Sequence, residues 1–68
     1  MSTMRTGMLA AQAGFRLPLQ VLQSAAGFYL GTCDQEGPVS RESAEYFASE
    51  RLAVQAMASG HWTQRPHP

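Results

Sequence analysis

The sequence predicts a small α+β fold, in which an antiparallel sheet of three to four strands packs against one C-terminal helix. An alternation of apolar and polar residues over residues 17–23 is typical of a half-buried strand. An aromatic run at residues 28–32 precedes a turn sequence, and residues 49–59 carry apolar side chains at helical spacing. We expect a flexible N-terminal tail over residues 1–15 and a single small domain over residues 16–68.

The first predicted strand, residues 17–23, contains a proline near its start. Pro18 limits this strand to a sheet edge or to a start at that residue, because proline cannot donate a hydrogen bond to a neighbouring strand. A short helix beginning after Pro18 is the alternative, since Leu19, Leu22 and Ala26 would then share one face.

The middle of the chain is expected to form a hairpin. Gly31 lies inside the second predicted strand and indicates a bulge or a close backbone approach. Residues 34–38 are typical of a tight turn, because Asp34 can close an Asx turn and glycine adopts a positive φ. A further extended run is expected over residues 39–47, with its last four residues in a strand, and residues 62–63 could add a final short strand.

The C-terminal helix is predicted to begin near Ser49, a natural N-cap, and to end at Gly60. Extending it towards the N-terminus fails, because Glu42 and Glu45 would then enter its apolar arc. The helix is expected to contribute four core residues, which are Leu52, Val54, Ala56 and Met57.

A chain of this length predicts a small core. A domain of about 60 residues buries only about 60% of the surface that its unfolded chain exposes. We therefore expect the chain to depend on a partner or on self-association to complete its burial. The predicted core residues are Leu19, Val21, Phe28, Leu30, Phe47, Leu52, Ala53, Ala56 and Met57.

Charge and composition restrict the classes of function. The 68 residues include five Arg, no Lys and five acidic residues, so the net charge is zero with neutral His. All five acidic residues lie within residues 34–50. A neutral balance argues against a protein held to nucleic acid mainly by charge. The joint absence of Lys, Asn and Ile indicates a GC-rich gene, which we interpret as bacterial or carried by a mobile element.

Targeting and membrane signals are weak. The single Cys33 excludes an internal disulfide and fits a reducing cytoplasm, which is the expected location. Residues 8–13 resemble part of a secretory signal, but their apolar run is too short for one. The alternative interpretation of this segment is one helical turn. No stretch approaches the roughly 18 apolar residues of a membrane span, so no membrane association is expected. Translation could start at Met1, Met4 or Met8.

No metal, cofactor or catalytic site is expected. The soft metal-ligand types are Cys33, His61 and His67. Their spacing lacks the close pairs that zinc sites use. The residues that could form a nucleophile, base and orienting acid are Ser40, Ser43, His61 and Asp34. None of them lies in a nucleophile-elbow sequence, so we predict a protein that is not an enzyme and infer no small-molecule substrate.

Protein–protein interaction is the leading functional hypothesis. Aromatic and Arg side chains are enriched at binding hot spots. The candidate binding residues are Tyr29, Arg41, Trp62 and Arg65. Tyr46 is of the same type, but its alternative interpretation as a core residue is favoured. We expect a non-enzymatic interaction or regulatory protein that forms a homodimer or part of a complex.

A nucleic-acid-binding module is the alternative hypothesis. Four of the candidate side chains for it are Arg41, Arg51, Arg65 and Trp62. Clustered Arg residues would contact phosphates, and aromatic rings on the sheet face would stack on bases. The acidic neighbours of Arg41 and Arg51 argue against this hypothesis, because they favour an ordinary solvated surface.

Overall fold

The computed structural model of the chain describes residues 6–66. It contains three strands and two helices, which are α1 (Met8–Gln12), β1 (Gln20–Ser24), β2 (Gly27–Asp34), β3 (Gly37–Arg41) and α2 (Glu50–Ser59). The strands form one antiparallel sheet in the order β1-β2-β3, and α2 packs on it. The predicted α+β fold with a C-terminal helix is therefore confirmed.

The β1–β2 hairpin confirms the first predicted strand and excludes the alternative helix. β1 begins two residues after Pro18 and is an edge strand, as proline requires. Its last residue, Ser24, pairs with Gly27, and the Ser24 hydroxyl accepts the Ala26 N–H at 3.2 Å. This hydroxyl stabilises the two-residue turn in place of a longer loop.

The β2–β3 hairpin turns where the sequence predicts. Asp34 Oδ1 accepts the Glu36 N–H at 2.9 Å, which is the expected Asx turn. Gly37 follows with a φ of +124°, a conformation that side-chain-bearing residues rarely adopt. Asp34, the first residue of the turn, is paired directly with Gly37 across the two strands.

Gly31 confirms the expectation of a close backbone approach. A Cβ atom at this position would overlap the Ser40 carbonyl oxygen on β3. The pairing of β2 with β3 also shifts register between Thr32 and Cys33, which marks a bulge next to Gly31. Glycine is therefore needed here for space, because its φ is not positive.

Helix α2 has the predicted ends. The Ser49 hydroxyl accepts the Leu52 N–H at 3.2 Å, so it caps the first turn. Gly60 adopts a φ of +77° and donates its N–H to the Ala56 carbonyl at 2.9 Å. A left-handed glycine with this hydrogen bond ends the helix.

The core lies between α2 and one face of the sheet. Its buried cluster is Leu19, Leu30 and Ala53, and Ala56 of α2 is buried as well. The partly buried residues that pack against the cluster are Val21, Phe28, Phe47, Met57 and Trp62. Eight of the nine predicted core residues therefore lie in or beside the core.

The prediction was wrong for Leu52 and Val54 of α2. Their side chains are 48% and 45% exposed. A three-stranded sheet covers only a narrow stripe of a helix, and the small side chains of Ala53 and Ala56 occupy that stripe. Leu52 and Val54 flank it on either side and remain in contact with solvent.

The predicted strand at residues 44–47 was also wrong. After β3, Ser43 donates its backbone N–H to the Leu30 carbonyl, and its hydroxyl accepts the Leu30 N–H at 3.0 Å. The Ser43 hydroxyl thereby occupies the Leu30 N–H, which would otherwise bind a backbone carbonyl of a continued strand. The chain therefore leaves the sheet at this point. Phe47 then returns as an isolated bridge to Phe28.

The predicted last strand at residues 62–63 is absent from the described part of the chain. A single bridge pairs Gln64 with Ser43, one residue beyond that range. Pro66 follows and cannot donate a further hydrogen bond. The sheet consequently has three strands, the lower of the two predicted numbers.

Residues 7–10, within the segment that the sequence assigns to a tail, pack on the sheet. Helix α1 is the single helical turn considered for this segment, and it buries Leu9 and Ala10. Residues 1–5 of the predicted tail lie outside the described part, and they include the start-site candidates Met1 and Met4. His67, which is of a residue type that can bind metal, lies outside it as well. No helix within residues 6–66 is both long enough and apolar enough to cross a membrane.

Candidate interaction surface

The two faces of the sheet differ in how they are covered. Side chains alternate along β2, so Phe28 and Leu30 lie on the face against α2, which we call the helical face. Tyr29, Gly31 and Cys33 lie on the opposite face. Residues paired directly across strands share a face. This second surface, which we call the open face, consists of Gln20, Leu22 and Ser24 of β1, Gly27, Tyr29, Gly31 and Cys33 of β2, and Pro38 and Arg41 of β3.

Both helices belong to the helical face. α2 packs on the Leu30 cluster. At Gly7, just before α1, an added Cβ would meet the Thr32 methyl group, and Thr32 shares its side of β2 with Leu30. The open face is therefore not covered by either helix of the described chain.

Tyr46 lies over one end of the open face. Its ring contacts the ring of Tyr29 edge to face, with 6.0 Å between centroids and 77° between planes. The Arg41 guanidinium carbon is 4.7 Å from the centroid of the Tyr46 ring, and Arg41 Nη1 donates to Tyr46 Oη. Tyr46 is 41% exposed, whereas Tyr29 is only 7% exposed. The surface therefore presents an aromatic ring with a cation stacked on it.

The charges of this cluster follow from its environment. Burial raises the pKa of the Tyr29 phenol, Tyr46 and Cys33 raise it further, and Arg41 opposes them. Tyr29 is consequently neutral near pH 7. The recorded guanidinium hydrogen bond of Arg41 goes to a phenol, and the buried Arg41 Nε has no partner within the described residues. Its positive charge is thus not neutralised by a carboxylate there.

Arg65 lies next to Arg41 along β3. Its backbone N–H donates to the Glu42 carbonyl at 2.7 Å, and its Nη1 donates to the Arg41 carbonyl at 3.4 Å. Of the four candidate binding residues, Tyr29 and Arg41 therefore lie on the open face, and Arg65 lies at the β3 edge of the sheet beside Arg41.

Trp62, the fourth candidate, belongs to the other side of the molecule. It packs against the core cluster on the helical face and lines a cavity of about 380 Å³ with Leu19 and Met8. Arg51 is exposed on α2, on that same side of the sheet. The set expected for nucleic-acid binding is therefore divided between two faces.

Tyr46 differs from the interpretation that favours it as a core residue. Its ring is exposed and contacts the Arg41 guanidinium. The spacing of five residues between Arg41 and Tyr46 matches neither the helical nor the strand period, so no local pattern signals their contact.

A second feature that the sequence did not indicate is the fully buried carboxylate of Glu42. It accepts the backbone N–H groups of Leu9 and Ala10, the Ser40 hydroxyl at 2.6 Å and the Gln64 amide at 2.8 Å. Burial raises the pKa of this carboxyl, but these hydrogen bonds outweigh it and hold the pKa below its ordinary value. Because its oxygens are bound by neutral donors of the fold, Glu42 acts as a structural group.

The two serines considered for catalysis serve the fold in the same way. The Ser40 hydroxyl is hydrogen-bonded to Thr32 and Glu42, and the Ser43 hydroxyl binds the Leu30 N–H and the Glu45 carbonyl. His61 is exposed, and its recorded hydrogen bond is made by its backbone N–H. Within residues 6–66 no three His, Cys, Asp or Glu side chains are grouped to hold a metal ion.

Comparison of the chain with protein-family models, with curated proteins and with solved structures finds no match. The open face is therefore interpreted from its own chemistry. A guanidinium stacked on an exposed phenol ring is suited to binding a group that offers both a carboxylate and an apolar surface.

Proposed function

We propose that this chain is a non-enzymatic interaction or regulatory protein that binds another protein through the open face. The observation that carries the proposal is the Arg41–Tyr46 pair, in which a half-buried Arg41 stacks on the exposed ring of Tyr46 at a sheet face that neither described helix covers. Tyr and Arg are among the residues that most often dominate binding energy at protein interfaces.

The size of the core supports this proposal. The buried hydrophobic residues within 6–66 are Leu9, Ala10, Leu19, Tyr29, Leu30, Ala53 and Ala56. Three of these are alanines, which bury little apolar surface each. A domain with so small a core gains stability from a partner that covers further apolar surface.

Binding to nucleic acid is less well supported. The net charge is zero, and the aromatic and Arg residues do not form one surface, because Trp62 and Arg51 lie on the helical side.

The proposal includes a cytoplasmic location and a bacterial or mobile-element gene. The location is supported by the single Cys33, and the origin of the gene is supported by its GC-rich composition.

Photo-crosslinking tests the proposal directly. A benzophenone amino acid replaces Tyr46 in one variant and Val54 in the control, and both variants are produced in the cells in which the chain occurs. The two positions are matched, since they are 41% and 45% exposed, but Val54 lies on α2. We expect protein adducts from position 46 and few from position 54.

Two results would contradict the proposal. Equal protein adducts from both positions, or none from position 46, would show that the open face is not a protein-binding surface. Adducts of position 46 with RNA or DNA would instead support the nucleic-acid hypothesis.

A further inference from the structure

Strand β1 lies at one edge of the sheet, and its outer side carries unpaired backbone groups. We propose that this edge binds an extended, uncharged peptide segment of a partner protein, which adds to the sheet as a fourth strand. The inference goes beyond the proposed function, because it assigns a second binding surface at the edge of the sheet, whereas the proposed function concerns the open face.

Two residues of β2, Phe28 and Leu30, direct their backbone groups away from β1. Phe28 donates its N–H to the Phe47 carbonyl at 3.0 Å and accepts the Phe47 N–H in return. Leu30 donates its N–H to the Ser43 hydroxyl at 3.0 Å, and its carbonyl accepts the Ser43 N–H. Both residues therefore bind the segment that follows β3, on the side of β2 that faces away from β1.

The partners of these two residues on β1 point to the outer edge of the sheet. Phe28 lies opposite Gln23, and Leu30 lies opposite Val21. In an antiparallel pair, opposite residues either exchange both hydrogen bonds or turn both sets away from each other. The N–H and carbonyl groups of Val21 and Gln23 therefore face outwards. No residue within 6–66 pairs with either of them there.

The other edge of the sheet is protected. β3 contains Pro38, which cannot donate a hydrogen bond, and ends at the charged Arg41. The C-terminal segment covers the chain just after β3, where the Ala44 N–H donates to the Thr63 carbonyl at 2.8 Å. Prolines, charged side chains and covering segments are the usual means by which proteins prevent strand addition. The five residues of β1 include no proline and no charged side chain, and their pairing with β2 is regular.

The side chains of β1 indicate the chemistry of the added peptide. Residues 17–33 contain no charged side chain. Val21 and Leu22 are both half-buried and lie on opposite faces of the sheet. Residues paired across strands share a face, so neighbouring residues of an added strand would lie beside Val21 and Leu22. The edge therefore suits an uncharged peptide that has two adjacent apolar residues.

The number of unpaired groups predicts weak binding of a short peptide. The N–H and carbonyl groups of Val21 and Gln23 together offer four hydrogen bonds to an added strand. A short peptide loses conformational freedom when it is ordered against the edge. We expect a dissociation constant of about 0.1–1 mM, which sets the peptide concentration of the test at up to about 2 mM.

Amide hydrogen exchange tests whether the edge is free. In the chain alone, the N–H groups of Val21 and Gln23 should exchange at least about tenfold faster than that of Leu22, which is bonded within the hairpin. Slow exchange of both amides in the chain alone would overturn the inference. It would mean that the edge is already occupied by the chain itself or by a second copy.

Titration with a synthetic peptide, followed by heteronuclear NMR, tests the binding. The probe is an acetylated and amidated peptide of sequence Thr-Thr-Val-Leu-Thr-Thr. Chemical-shift changes should be largest at residues 20–24. The amides of Val21 and Gln23 should exchange at least about threefold more slowly at the highest peptide concentration. The control peptide carries a methyl group on every backbone nitrogen. It keeps the side chains but cannot donate to the edge, so it should not bind.

Variants at Gln23 test the position of the peptide. Gln23→Pro removes one outward N–H, and it should preserve the fold because that N–H has no partner within residues 6–66. It should bind the peptide at least about tenfold more weakly. Gln23→Lys leaves the backbone intact, places a charge at the edge and should weaken binding about threefold. The matched control, Gln35→Lys, adds the same charge at the exposed tip of the β2–β3 hairpin and should bind like the wild type.

Three further results would overturn the inference: no binding at the highest peptide concentration, equal binding of the methylated peptide, or binding that neither Gln23 variant weakens. The crosslinking test of the proposed function is independent of these results, because Tyr46 lies over the open face. Protein adducts from position 46 together with an edge that binds no peptide would leave the proposed function intact.

Discussion

The carboxylate of Glu42 accepts the backbone N–H of Leu9 with both oxygens, at 2.9 and 3.0 Å, although 33 residues separate the two along the chain. The same carboxylate accepts a hydroxyl from β3 and the amide of Gln64. A buried carboxylate is tolerated only where donors of the protein replace its water. Glu42 thus joins α1, the sheet and the C-terminal segment at one point.

Replacement of Glu42 by glutamine should destabilise the fold strongly. Glutamine keeps the shape of the side chain, but its amide nitrogen cannot accept the N–H groups of Leu9 and Ala10. Leaving buried donors unpaired costs about 1–3 kcal/mol, and more where the lost acceptor is charged. Urea unfolding of Glu42→Gln should therefore show a loss of about 3 kcal/mol or an unfolded protein.

The matched control for this measurement is Glu50→Gln, in the exposed first turn of α2. It removes the same charge and should cost about 0.5 kcal/mol or less. Equal stability losses in Glu42→Gln and Glu50→Gln would contradict the structural role of the buried carboxylate.

Stability should fall in acid through the same group. The pKa of Glu42 is lower in the folded chain than its ordinary value of about 4.3, because its hydrogen bonds favour the charged form. This contribution is complete above the ordinary pKa and is lost as the pH falls through the folded pKa. We expect a free energy of unfolding that is nearly constant from about pH 7 to 5 and decreases below about pH 4.

The Glu42→Gln variant distinguishes this group from the other acids. Hydrogen bonds from Thr63 also lower the pKa of Glu45, against the effect of its burial, so part of the acid dependence remains in the variant. The slope of stability against pH should be shallower in Glu42→Gln than in the wild type. An unchanged slope in Glu42→Gln would mean that its proton uptake does not contribute.

Features set by neighbouring residues could be predicted from the sequence. Ser49 and Gly60 fix the ends of α2, and Asp34 with Gly37 fixes the turn of the second hairpin, because caps and turns depend on a few adjacent residues. The apolar pattern of the helix does not extend back through Glu42. It therefore predicted correctly that Glu42 lies outside α2.

Features that depend on distant contacts could not be predicted. Nothing in the sequence near Glu42 indicates that Leu9 will supply its hydrogen bonds, because the two meet only after the sheet has formed. The Arg41–Tyr46 contact arises for a similar reason: the chain leaves the sheet at Ser43 and returns at Phe47. The candidate surface was therefore only partly identified, through Tyr29 and Arg41.

A pair of leucine substitutions tests the corrected core. Leu30 is fully buried between the sheet and α2, whereas Leu52 is 48% exposed. Leu→Ala at a buried site costs about 2–5 kcal/mol, and the cost falls as the side chain becomes exposed. Thermal or urea unfolding should show that Leu30→Ala loses several times more stability than Leu52→Ala. Similar losses for the two variants would restore Leu52 to the core.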